Sequence, residues 1–157
     1  MAGVRLTLDD AGEAGFLAAA RGRVAPISVS STFPDHSRAG TTRGDVPARP
    51  GLSPLRFTTT YVVTPERFEQ LRLAAGEIAG RPAAAGDVLT FVGRRFVAGP
   101  TPGIRTEPNP RDVAEIAAVV KSAATLADHV IVTIHAHESG RAGVTEPAMF
   151  LPTFARA

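Results

Sequence analysis

The apolar residues of this chain fall into runs with two periods. At 130–134 the residues Val, Ile, Val, Thr and Ile are consecutive and all β-branched. So short and branched a run predicts a strand, and its unbroken apolar character predicts burial in a parallel sheet covered on both faces. Residues 24–30 (VAPISVS) and Phe57–Val63 (FTTTYVV) also have strand composition. Pro26 places the first at its beginning or on a sheet edge. Residues 88–97 predict two short strands turning at 93–95.

Helical spacing takes over elsewhere. Thr64 caps a helix with Pro65 at its first position, and Phe68, Leu71, Ala75 and Ile78 follow until Gly80 stops it. Asn109, Pro110 and Asp112 announce another, whose apolar face is Val113, Ile116, Ala117, Val120, Ala124 and Ala127. A helix of this length running directly into the strand at 130 is half of a βαβ crossover. Asp9 or Asp10 is expected to cap a short helix through Glu13, Phe16 and Leu17. Thr145 and Pro147 are expected to begin a last one through Met149, Phe150 and Phe154. Residues 99–110 read as a Pro/Gly connector, and the chain has no internal repeats.

Residues 31–56 break the pattern. Seven prolines and glycines there leave no room for a helix or central strand. A loop of this length in a compact domain is usually functional or disordered. His36, Arg38, Arg43, Asp45, Arg49 and Arg56 alternate with hydroxyls at Ser31, Thr32, Ser37, Thr41 and Thr42. Guanidinium forks beside hydroxyls suit carboxylate or phosphate groups. The plainer reading is a solvated loop.

Composition narrows the class. A hydrophobic share of 44% with 20% charged residues is that of a globular domain, and 157 residues fit one. Sixteen arginines and one lysine give a net charge of only +2 against fifteen acids, with no basic stripe for nucleic acid. Together with abundant Ala, Gly and Pro, this arginine bias points to a GC-rich bacterial genome. The absence of cysteine excludes disulfides and thiolate metal sites. No apolar run reaches the ~18 residues of a transmembrane helix, and residues 1–10 lack the pattern of a signal peptide.

The strongest chemical signal sits at the carboxyl end of the 130–134 strand. His135, His137 and Glu138 stand there, followed by a Gly-rich stretch at 139–143. Ligands of open α/β sheets bind just outside such strand ends. In an extended chain His135 and His137 point to the same side; past the strand end that alternation is not fixed, and either one could face the site alone. Neutral imidazole suits Zn, Mn or Fe, but a catalytic metal takes three or more protein ligands and an open position. This run supplies two or three, and hydrogen-bonded loop histidines are the alternative. His129 precedes the strand, at the wrong end to join them. Ser139 lies in no nucleophile elbow, and no phosphate loop occurs. Glu66, Glu69 and Glu77 read as solvated helix charges rather than a glycosidase pair.

With those residues in view, the chain resembles the CapA-type capsule synthesis family. That family is linked to poly-γ-glutamate biosynthesis and belongs to the calcineurin-like metallophosphoesterase superfamily. Four stretches carry the likeness: GRVAPISVSSTFPDHSRAG (22–40), RPGLSPLRFTTTYVV (49–63), DHVIVTIHAHES (128–139) and EPAMFLPTFARA (146–157). The resemblance implies an α/β fold, a two-sheet α/β sandwich with a divalent metal centre of Mn, Fe or Zn at its strand ends. It implies a metal-dependent hydrolase acting on, or handling, an anionic polymer or a phosphorylated or carboxylated substrate. A non-catalytic polyanion-binding or assembly role is the alternative.

By position His135 matches the family's metal-binding histidine, with His137 beside it where many relatives carry another residue. His36, Arg38 and Arg43 are the expected substrate contacts, in a loop facing the site. Such sites also draw on an early Asp and His, an Asn-His pair and a late histidine run, none of which is present. The expectation is therefore an interior piece, 1–157, of a single domain truncated at both ends. It would bind no metal stably, be inactive alone, and dissolve poorly or self-associate.

Overall fold

The structure, a computed structural model, describes residues 4–137 and 148–157. Glu138, the stretch at 139–143, Thr145 and Pro147 lie outside the described residues. In chain order the elements are β1 (Val4–Arg5), α1 (Leu8–Gly12), β2 (Leu17–Ala19), β3 (Gly22–Ser30), a 3-10 turn (Asp35–Ser37), β4 (Gly51–Leu52) and β5 (Phe57–Val63). They continue with α2 (Pro65–Ala79), β6 (Val88–Phe91), β7 (Arg94–Ala98), β8 (Gly103–Pro108), α3 (Pro110–Ala124), β9 (His129–His135) and α4 (Leu151–Phe154). The result is a mixed α/β protein of two compact units, Met1–Phe57 with Pro108–Ala157, and Thr58–Glu107.

The first unit is built on β3. This strand pairs antiparallel with β2 and parallel with β9, in register from Val24 opposite His129 to Ser30 opposite His135. The βαβ crossover expected from the helix at 110 is present. Ala25, Ile27 and Val29 point to one face of β3 and are at most 2% exposed. On that face Ala25 and Ile27 pack with Ala123, and Val29 with Leu55, Ile116, Ala148 and Phe150. Phe150 stacks on Phe57 at 4.6 Å. Each large side chain buried in this way stabilises the fold by about 1.5–3 kcal/mol.

Pro26 does not put β3 on an edge. Its carbonyl accepts from Gly15 N, so the position of its missing N–H faces the β2 side, just past the point where β2 stops pairing. The expected burial of 130–134 on both faces is overturned. Among the described residues β9 is an edge strand, with Ile131 50% and Val132 38% exposed. A continuous β-branched run reports strand propensity, and the number of covered faces depends on neighbours that composition does not encode.

Smaller corrections concern the ends. The first helix is capped by Thr7, whose hydroxyl accepts from Asp10 N, and not by Asp9 or Asp10. It ends at Gly12, and Leu17 opens β2 instead of continuing the helix. The last helix spans only Leu151–Phe154. Residues 31–56 are tied down more than their composition suggests. β4 pairs with β1, Arg38 bridges Leu52, Arg43 bridges Val46, and Gly40 N donates to Arg49 O at 2.8 Å.

In the second unit the sheet order is β6-β7-β5-β8, with β5 parallel and β6 antiparallel to β7. Thr64 caps α2 and Gly80 closes it in the left-handed conformation, as expected. The β6–β7 turn falls on Val92 and Gly93, both at positive φ, the geometry of a tight hairpin. The supposed connector at 99–110 contains β8, an exposed strand whose polar and proline-flanked sequence conceals it.

Candidate functional site at the ends of two parallel strands

The carboxyl ends of β3 and β9 lie side by side because the two strands are parallel and in register through Ser30 and His135. Backbone bonds hold this end from both sides of β3. Ser30 N donates to Ser53 O and Leu55 N to Ser30 O, while Ser31 N donates to His135 O at 3.0 Å. The Ser30 hydroxyl lies within 3.0 Å of Thr32 O and 3.3 Å of His135 O. It ties together the two strands where regular pairing ends.

Beyond β9 the extended course continues to His137, whose amide donates to the Thr32 hydroxyl at 2.7 Å. The alternation of side chains is thereby kept past the strand end. The rings of His135 and His137 stand on the same side, centroids 4.5 Å apart and tilted by 57°. Both residues are exposed. His129 is at the other end of β9, paired with Val24.

The other candidates occupy the connection leaving β3. His36 is exposed on the 3-10 turn. Arg38 and Arg43 are exposed, the first bridging Leu52 and the second Val46. Arg49 donates from its guanidinium to Arg38 O at 3.0 Å. No hydrogen bond or ion pair joins His36, Arg38 or Arg43 to the histidine pair among the described residues.

Arg56 departs from the expected ligand-facing set. Its guanidinium and its own backbone amide both engage Asp112 at the start of α3. This pairing was missed because each residue has an ordinary local explanation, a loop cation and a helix-start acid, and 56 residues separate them.

Two imidazoles so placed supply two nitrogen donors. No group of three or more His, Cys, Asp or Glu side chains comes together among the described residues. This donor set falls short of a metal site by itself, since even catalytic zinc sites use three protein ligands. Among the described residues no helix is long and apolar enough to cross a membrane.

No known protein-family model matches the chain. Two Sinorhizobium fredii proteins, uncharacterized proteins y4sH and y4uA, are each 36% identical to it over 157 residues. The match covers 99% of this chain and 34% of each relative. The chain thus spans about a third of the length of the curated relatives it matches.

Proposed function

We propose that this chain contributes His135 and His137 to a divalent-metal centre of the CapA type. Residues beyond the described ones would complete it, in a hydrolase-like protein of capsule or poly-γ-glutamate synthesis. The observation that supports this reading is the pair of rings 4.5 Å apart at the carboxyl ends of two parallel strands. Ligands of open α/β sheets gather at such ends. Imidazole is a competent ligand for Mn, Fe or Zn, and a bound divalent ion would polarise a scissile bond and its attacking water. The Thr32 hydroxyl positions the backbone of His137, and Ser30 that of His135.

The test is titration with Mn²⁺ or Zn²⁺ of a longer form of the protein that carries the completing residues, followed by imidazole NMR. Paramagnetic Mn²⁺ should broaden both rings together, and His135→Ala or His137→Ala should abolish the effect at the remaining ring. Rings that do not respond to either ion would remove the reading.

A second reading is a non-catalytic polyanion binder. It is favoured by the exposed Arg38 and Arg43 on a connection pinned by backbone bridges. Its measure is binding of poly-γ-glutamate, weakened by Arg38→Ala and Arg43→Ala and by added salt.

A further inference from the structure

We infer that the outer edge of β9 and the groove beside it receive an additional β-strand. Its source is polypeptide lying outside residues 1–157, of the kind the longer relatives possess. The inference is independent of any metal at the histidine pair.

The first observation is the open ladder. His135 O is turned toward β3, where Ser31 N reaches it. Backbone groups alternate along a strand, so those of Ile131 and Thr133 share that direction. Those of Val130, Val132 and Ile134 face the other way. Among the described residues no strand stands on that side.

The second observation is incomplete cover. Val132 is the register partner of Ile27 and shares its face of the sheet. Ile27 is 1% exposed and Val132 38%. α3 therefore shields β3 fully and overhangs β9 only in part. The space left is an apolar groove of about 520 Å³, walled by Val113, Ala117 and Val120 on one side and Leu151 and Phe154 on the other. On the opposite face Ile131 is 50% exposed. Residues 130–134 contain no charge and no proline, the usual protections of a natural free edge.

Unpaired amides beside an apolar groove select for an extended chain. Its backbone would bond to β9, and its alternate side chains would enter the groove. The source follows from length. The matched stretch is 34% of each Sinorhizobium relative, leaving about two thirds of those chains to supply such a strand.

The experiment uses the 157-residue chain and synthetic peptides of about 10 residues, a strand's length. The peptides tile the parts of y4sH outside the matched stretch. Amide exchange is read by NMR at Val130, Val132 and Ile134. At least one peptide should slow these three amides about tenfold or more, leaving those of Ile131 and Thr133 already protected by β3. Val132→Pro removes only an outward N–H, which an edge strand tolerates. That variant should keep its melting transition and lose the peptide effect.

Protection by no peptide would overturn the inference. So would protection of the same amides in the chain alone that rises with its concentration, since the edge would then belong to a second copy. An unfolded Val132→Pro variant would show that the amide points inward and would also overturn it.

Discussion

Asp112, 2% exposed at the start of α3, accepts from both the backbone amide and the guanidinium of Arg56, at 2.8 Å and 2.9 Å. A second guanidinium nitrogen contacts the other carboxylate oxygen. One carboxylate thus fastens the segment entering β5 to the helix that precedes β9, with Asn109 N donating to Arg56 O alongside. Asp112→Ala leaves an amide and a charge without their acceptor. It should cost about 3 kcal/mol, the low end for a broken buried pair because the Arg56 side chain is 41% exposed. Arg56→Ala leaves the buried Asp112 carboxylate with the residue-56 amide and no cation, and should cost more, about 4 kcal/mol. Urea denaturation of the two variants checks the asymmetry. The hydrogen bond to Asp112 raises the Arg56 pKa. Its contribution is therefore complete at neutral pH and is lost as pH rises through the raised value.

Phe150 is fully buried against Phe57. Phe150→Ala should destabilise the first unit by about 3–5 kcal/mol through the cavity it opens, with Phe150→Leu milder. Denaturant midpoints give the measurement.

Gly51 is required by close approach. A Cβ there would lie 2.4 Å from Ala39 N and 2.5 Å from Ser37 O, both backbone atoms that cannot swing away. Gly51→Ala should cost about 1–3 kcal/mol. It should also speed exchange of the Ala39 amide, which donates to Leu52 O at 3.1 Å. Unchanged exchange would free residues 37–40 from this restraint.

Glu66, in the first turn of α2, has its carboxyl held below the ordinary carboxylate value by its own backbone amide and then by the Thr64 hydroxyl. A depressed folded-state value means that its contribution is complete above the ordinary value. It is lost as pH falls through the lowered one. Helicity of α2 should therefore decline on acidification, and Glu66→Gln should flatten that decline in circular dichroism.

The helices at 65 and 110 were legible because caps, prolines and apolar spacing agree at Thr64, Asn109 and Gly80. The parallel pairing of β9 was legible from the helix that feeds it. Its position in the sheet was not, since 130–134 reads the same in a centre or on an edge. β8 was hidden because Gly103, Glu107 and Pro108 carry no strand period. In the candidate site, alternation puts His135 and His137 on one side only if the chain stays extended past β9, and the bond from His137 N to the Thr32 hydroxyl that keeps it so carries no local sequence signal. The use of Arg56 by Asp112 depends on a contact across the fold that no local spacing carries.

Pro26 has a consequence for how the first unit comes apart. With no amide to offer on that flank, β3 has a gap between its partner β2 and the bridge from Ser30 to Pro54. Melting that starts with β2 has no ladder along which to travel to the histidine end. Residues 17–19 can detach while the bonds of Ser30 to Ser53 and Leu55 stay in place beside His135.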